Sequence, residues 1–128
     1  MVRESPKHKG TKAETRVVNF LLAAGLNAHR ATLKGNHDQG DIHILGGHGC
    51  VSAVLEVKGG KQTQSVNRKL FYDWLAQAKI EATHVGSIHG FLVIAKHGAS
   101  VCDYQVWDEA GHRFWYLDQF VDHVKGGF

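Results

Sequence analysis

The segment GDIHILGGHGCVSAVLEVKGGK, residues 40–61, limits the possible folds more than any other part of the chain. Over DIHIL (41–45), Ile42 and Ile44 alternate with Asp41 and His43. A period of two marks a strand with unlike faces. GGHG (46–49) reads as a turn, and CVSAVLEVK (50–58) as a second strand, rich in β-branched residues. Its last residues put Leu55 and Val57 on one face and Glu56 and Lys58 on the other. Strands joined by so short a turn pair antiparallel, which sets Asp41 beside Glu56 at one end of a sheet. Lys58 follows on the Glu56 face, about 6–7 Å further along.

The remaining elements fall into place around this pair. Residues 1–9 read as a flexible basic arm. From Thr11, the residues Ala13, Val17, Phe20, Leu21 and Ala24 form one helical stripe, which Gly25 ends. LNAHRATL (26–33) predicts a first strand and KGNHDQG (34–40) a polar loop. A loop at 59–64 leads to a second helix with Leu70, Phe71, Trp74, Leu75 and Ala78 on its apolar face. GFLVIAK (90–96) lacks polar interruption, as a central strand buried on both faces should. SVCDYQVWD, EAGH and RFWYL predict a hairpin, and Asp118 a cap for a short helix to about Lys125. No repeat or linker divides residues 1–128, so the expectation is one α/β domain. Its mixed central sheet is flanked by helices, and a C-terminal hairpin and short helix follow an α-β-β-β-α-β core.

Composition excludes several classes. At 43% hydrophobic and 9% aromatic residues the chain can bury a core, which argues against disorder. No apolar run approaches the roughly 20 residues of a membrane span. The basic start MVRESPKHKG lacks the apolar segment of a signal peptide, so a cytoplasmic location is expected. Cys50 and Cys102 are too few for a disulfide scaffold and read as small buried hydrophobes. The net charge of +3 and pI of about 9.0 tilt mildly towards polyanions. Basic residues crowd the start and middle, and acids the last quarter, which suits a domain meeting phosphate on one side. Solvated surface charge accounts for the same distribution.

Asp41 and Glu56 brought together would repel, and one pKa would rise unless a cation lay between them. A hard divalent ion takes carboxylates, a backbone carbonyl and waters. The carbonyl of Val57, between Glu56 and Lys58, is placed to supply the backbone oxygen. Such an ion makes water a better nucleophile, and the Lys58 ammonium can orient that water or offset charge on a phosphorane. Together these parts describe metal-assisted phosphodiester hydrolysis. The competing reading is plainer: exposed strand ends, with Glu56 and Lys58 loosely paired.

The pattern resembles the PD-(D/E)XK nuclease superfamily, with its restriction-endonuclease-like αβββαβ core. Gly40-Asp41 stands where the family has Pro-Asp, and Glu56-Val57-Lys58 stands for (D/E)-X-K. KGTKAETRVVNFLLAAGLNAHRATLKG is most similar to the opening of the Holliday-junction resolvases of archaea and phages. The resemblance covers about residues 9–61, and residues 98–128 carry no signature of it.

The resemblance implies a magnesium- or manganese-dependent endonuclease acting on DNA. It adds Glu14 to Asp41, Glu56 and the Val57 carbonyl as a metal-site residue, with Lys58 assisting catalysis. T-K-A-E at 11–14 is also a capping box, which alone would explain a glutamate there. Arg30 is implied as a phosphate contact, the alternative being a surface strand arginine. Lys9, Lys12, Lys34, Lys61, Arg68 and Lys69 are candidate DNA-backbone contacts. Asp38 is a possible second acid or a turn residue, and Thr32 or Asn36 stands near the resolvases' serine. Gln77 faces the site or simply packs. His43 shares Asp41's face and His37 lies in the neighbouring loop. Neither His43 with His48 nor His84 with His89 forms a recognisable zinc motif.

A junction cut symmetrically on two strands implies a two-fold homodimer. Trp107, Phe114, Trp115, Tyr116 and Phe120 supply aromatic surface for an interface or for the core. The readings compared are therefore a Holliday-junction resolvase, another nuclease of the superfamily (flap, single-strand or restriction type), and a non-catalytic DNA-binding module.

Overall fold

The β-branched run beginning at Val51 becomes the axis of the molecule. The computed structural model describes residues 6–31, 41–87 and 89–127, with side chains from Lys12 onward. Its elements are α1 (Pro6–Ala23), β1 (Ala28–Arg30), β2 (Ile42–Leu45), β3 (Val51–Gly60), α2 (Arg68–His84), β4 (Gly90–Lys96), β5 (Gln105–Asp108), β6 (Phe114–Tyr116) and α3 (Leu117–Lys125). Among the described residues they form a six-stranded sheet ordered β1 to β6. The β3–β4 pair is parallel and the others are antiparallel, so the α/β class and the mixed sheet are as expected.

The alternation in β3 and β4 assigns each helix a face. Leu55, Val57, Phe91, Val93 and Ala95 pack with Ala13, Val17, Val18 and Leu21 of α1 and with Leu117, Phe120 and Val121 of α3. Leu92 and Ile94 turn the other way, onto Trp74 and Leu75 of α2. With Gly90 to Ala95 all buried, GFLVIAK is the two-sided strand its composition predicted. The Phe120 ring, fully buried, meets Phe91 edge-on at 4.9 Å and locks α3 beneath the sheet.

Several expectations need correction. Helix α1 begins at Pro6, not Thr11, so residues 6–9 of the expected arm are helical backbone. Proline at the first helical position, with φ already set, explains the early start. Strand β1 is only three residues long, shorter than 26–33. Strand β3 runs on to Gly60 because Gly59 and Gly60 stay paired with Ala95 and Lys96, and a 3-10 turn (Lys61–Gln64) replaces the expected loop. A second 3-10 turn, Val101–Asp103, takes the start of the expected hairpin strand. Tyr116, not Asp118, is the N-cap of α3, its N–H donating to Gln119 Oε1 at 3.2 Å. Cys50 is exposed and Cys102 half-buried, since both sit in turns rather than on a core face.

Candidate active site

The ladder between β2 and β3 fixes the site. Ile42 pairs with Leu55, so Asp41 lies one residue beyond, level with Glu56. The Asp41 N–H donates to Leu55 O at 3.2 Å, and the Val57 N–H donates to Asp41 Oδ2 at 2.8 Å. Leu55 and Val57 thus present their backbone to the β2 edge, and the alternation of the ladder turns the Val57 carbonyl to that edge too. Asp41 and Glu56 become neighbours as the antiparallel pairing required.

Glu56 emerges on the opposite sheet face from Leu55 and Val57, beneath α2. It is 3% exposed, and its Oε2 has no hydrogen-bond partner among the described residues. Its Oε1 meets Lys58 Nζ at 3.2 Å, and that ammonium also lies 5.9 Å from the Trp74 ring centre. A carboxylate this deep needs compensation, and one lysine provides it on one oxygen only. Glu56 and Lys58 are therefore not exposed strand ends.

Glu14 reaches the site from the other side of the sheet. Helix α1 can approach β3 closely because Gly59 has no side chain: a Cβ there would stand 2.7 Å from the Ala13 Cβ. Glu14 Oε2 accepts from Arg30 Nη2 at 2.6 Å, and Arg30 pairs with Ile42 next to Asp41. With α1 starting at Pro6, Thr11 lies inside the helix, and T-K-A-E does not cap its start. The glutamate is held by Arg30 instead.

Asp41 registers the crowding. Burial, then the charge of Glu56, pushes its pKa from 3.8 up to about 8, with Glu14 adding to the rise. The Val57 N–H and the Lys58 ammonium pull the other way without offsetting it. Three carboxylates against Lys58 on Glu56 and Arg30 on Glu14, with an orphaned buried oxygen, form a donor set of the kind a hard divalent cation relieves. Among the described residues no group of three acidic, histidine or cysteine side chains is placed to hold a metal ion. In the protein alone their partners are Val57, Lys58 and Arg30.

The remaining sequence candidates lie at varying distances from this centre. His43 is buried on the α2 face opposite Val54, its ring 5.4 Å from that of His29. Gln77 donates to Glu81 Oε1 at 3.1 Å. Lys12, Lys61, Arg68 and Lys69 are exposed, and Lys69 pairs with Asp73 at 3.1 Å. Lys9 lies on α1, its side chain outside the description, while Thr32, Lys34, Asn36, His37 and Asp38 fall outside the described residues. Phe120 is core, Trp107 and Trp115 are half-buried, and Phe114 and Tyr116 are 38% and 42% exposed on the edge strand β6. Sequence reasoning missed Glu81, 1% exposed on α2. Its signal was available: an acid at helical spacing after Trp74 and Ala78, on the apolar stripe. It also missed Arg16, Lys96 and His97, which line one cleft with Lys12 and Lys61.

No protein-family model and no curated protein sequence matches the chain. Its fold is similar to that of Archaeoglobus fulgidus Hjc, a Holliday junction resolvase from an archaeal hyperthermophile. The TM-score is 0.53 at 19% identity, covering 79% of this chain and 78% of the other. The two share a fold, and no described helix is long and apolar enough to cross a membrane.

Proposed function

We propose that the chain is a divalent-metal-dependent DNA endonuclease of the PD-(D/E)XK type, acting on branched DNA of the Holliday-junction kind. The observation that carries the proposal is Asp41, pushed up to about 8 beside the buried, half-satisfied Glu56. Fold similarity to a resolvase supports the substrate class.

Asp41, Glu56 and the Val57 carbonyl would hold magnesium or manganese, and Glu14, whose charge acts on Asp41, would join directly or through water. When bound, the ion supplies Lewis acidity towards water and the phosphoryl oxygens. The chain's own groups do the rest. The Val57 N–H fixes the Asp41 carboxylate. Lys58, held against Glu56, presents an ammonium that would orient the attacking water and offset negative charge growing on the phosphoryl oxygens. Arg30, anchored by Glu14 and 41% exposed, can turn towards a phosphate beside the metal. Phe114 and Tyr116, exposed on β6, support the expectation of a homodimer that presents two sites to one junction.

The test is cleavage of a labelled four-way junction beside linear duplex, flap and single strand, with Mg²⁺ and with EDTA. The proposal expects metal-dependent cutting that favours the junction. Equal cutting of junction and duplex overturns the resolvase assignment and leaves another nuclease of the type. No cutting of any substrate, with binding intact, makes the chain a binding module.

A further inference from the structure

We infer that a cavity at the start of α2 is a pocket for one unpaired nucleobase of the strand whose phosphate lies at the carboxylates. The identity of that ligand rests on the nuclease reading. The cavity measures about 500 Å³, inside the range of roughly 300–1,000 Å³ usual for small-ligand sites. Three aromatic rings line it, those of Phe71, Tyr72 and Trp107. The amides of Asn67 and Gln105 stand beside them, with the cations of Arg68 and Lys96. A nucleotide has a flat π face, a polar edge and a phosphate on each side. Rings, amides and cations answer these three features in turn.

The lining is held in place from several sides. The Phe71 ring meets Trp107 edge-on at 5.0 Å and Tyr72 edge-on at 5.5 Å. Gly111, at φ +74 in the turn after β5, backs the rings of α2. A Cβ there would stand 3.5 Å from Phe71 Cε1 and 3.8 Å from Tyr72 Cε1. Trp107 Nε1 donates to Gln105 Oε1 at 3.3 Å, and Asn67 Oδ1 accepts from the Leu70 N–H at 2.8 Å. Each amide thereby has its oxygen engaged and its NH₂ group turned over to a base edge. Thr63, 3% exposed, ties the 3-10 turn to the exit of β4 beside Lys96. Its Oγ1 accepts from the His97 N–H and donates to Gly60 O, both at 2.8 Å. Tyr72 is nevertheless 52% exposed, and a base laid on its ring would bury that surface.

The sheet sets the pocket beside the carboxylates, on the face that carries Glu56 and Lys58. Lys58 pairs with Ile94, which lines the cavity and pairs in turn with Gln105. At about 4.8 Å between strands, Gln105 is roughly 10 Å across the sheet from Lys58. Asp41 lies on the other side, next to β2, so the order across the sheet is carboxylates, lysine, pocket. At about 3.4 Å per stacked nucleotide, the base entering the pocket is within about three nucleotides of the phosphate at the carboxylates. A base inside a duplex is stacked and paired, so only an unpaired or flipped one can enter. A branch point interrupts stacking and supplies such a base more readily than continuous duplex.

The experiment compares binding of two fluorescein-labelled probes to the full chain in EDTA, by anisotropy across a salt series. One probe is an oligothymidylate, and the other an abasic sugar-phosphate chain of the same length. Wild type should prefer the oligothymidylate by about 5- to 150-fold, the worth of one base stacked on a ring. Tyr72→Ala should cut that preference about fivefold or more with the salt slope unchanged, because stacking releases no counterion. Tyr72→Phe, which keeps the ring, should retain the preference. Trp107→Leu should lose it, with thermal melting showing the variant folded. Arg68→Ala should instead lower the slope of log K against log salt by about 0.7 on both probes. Equal affinity of wild type for the two probes, or a preference that survives both Tyr72→Ala and Trp107→Leu, overturns the pocket. Base preference in a chain that cuts no DNA with Mg²⁺ keeps the pocket and removes the nuclease reading. Cutting without base preference does the reverse.

Discussion

Replacing Asp41 with Asn should make the metal-free protein more stable, increasingly so as pH rises. The carboxyl has a pKa of about 8 in the folded protein against 3.8 for the free group. Below pH 3.8 both folded and unfolded chains hold the proton, and the carboxyl contributes no penalty. As pH rises further, the unfolded chain releases its proton while the folded one keeps it, so wild-type stability falls. The loss is about 1.4 kcal/mol per pH unit and levels off above the folded pKa. Between pH 5 and pH 8 the gap between variant and wild type should widen by about 4 kcal/mol. Asparagine keeps an oxygen for the Val57 N–H, now at 2.8 Å from Asp41, so the variant should fold unchanged. Denaturant melts of both proteins in EDTA at pH 5, 6.5 and 8 measure the gap, and titrations remote from Asp41 cancel in the difference. Mg²⁺ at 100 times its Kd should then add about 2.7 kcal/mol to wild type at pH 8 and little to the variant. A gap that does not change with pH refutes the crowding of Asp41 by Glu56 and burial.

Three further outcomes follow from the packing. Lys58→Met should cost about 3–5 kcal/mol because Glu56 is left buried without its ammonium. Adding Glu56→Gln should recover most of that in urea denaturation, and neither variant should cut DNA. Gly59→Ala should cost about 1–3 kcal/mol by forcing α1 off β3. Cutting should fall as Glu14 moves, with Ala13→Gly in the same chain restoring part of both. Phe120→Ala should cost about 3–5 kcal/mol, because the ring is fully buried against Phe91 and Trp115.

The parts of the fold that sequence made legible are those with long, uniform patterning. DIHIL and CVSAVLEVK carried enough alternation to set faces, pairing and the neighbourhood of Asp41 and Glu56. GFLVIAK announced its position in the sheet by lacking polar residues. What misled was local chemistry with two uses. T-K-A-E has the form of a cap, but Pro6 starts the helix earlier and frees Glu14 to meet Arg30. The cysteines resemble buried hydrophobes by type, while their turns place them outward. A strand of three residues such as β1 holds too few positions for a pattern. Glu81 broke an apolar stripe and was readable. The cleft of Arg16, Lys96 and His97 was not, because it exists only when α1, the β3 exit and the β4 exit meet.

The central claim is that Asp41, Glu56 and the Val57 carbonyl hold a divalent cation. Crystals soaked in Mn²⁺, with data collected at the manganese edge, test it most directly. The account predicts one anomalous peak bridging the Asp41 and Glu56 carboxylates within coordination distance of Val57 O, and none in Asp41→Asn crystals. A wild-type crystal with full manganese occupancy elsewhere and none at this site would contradict it.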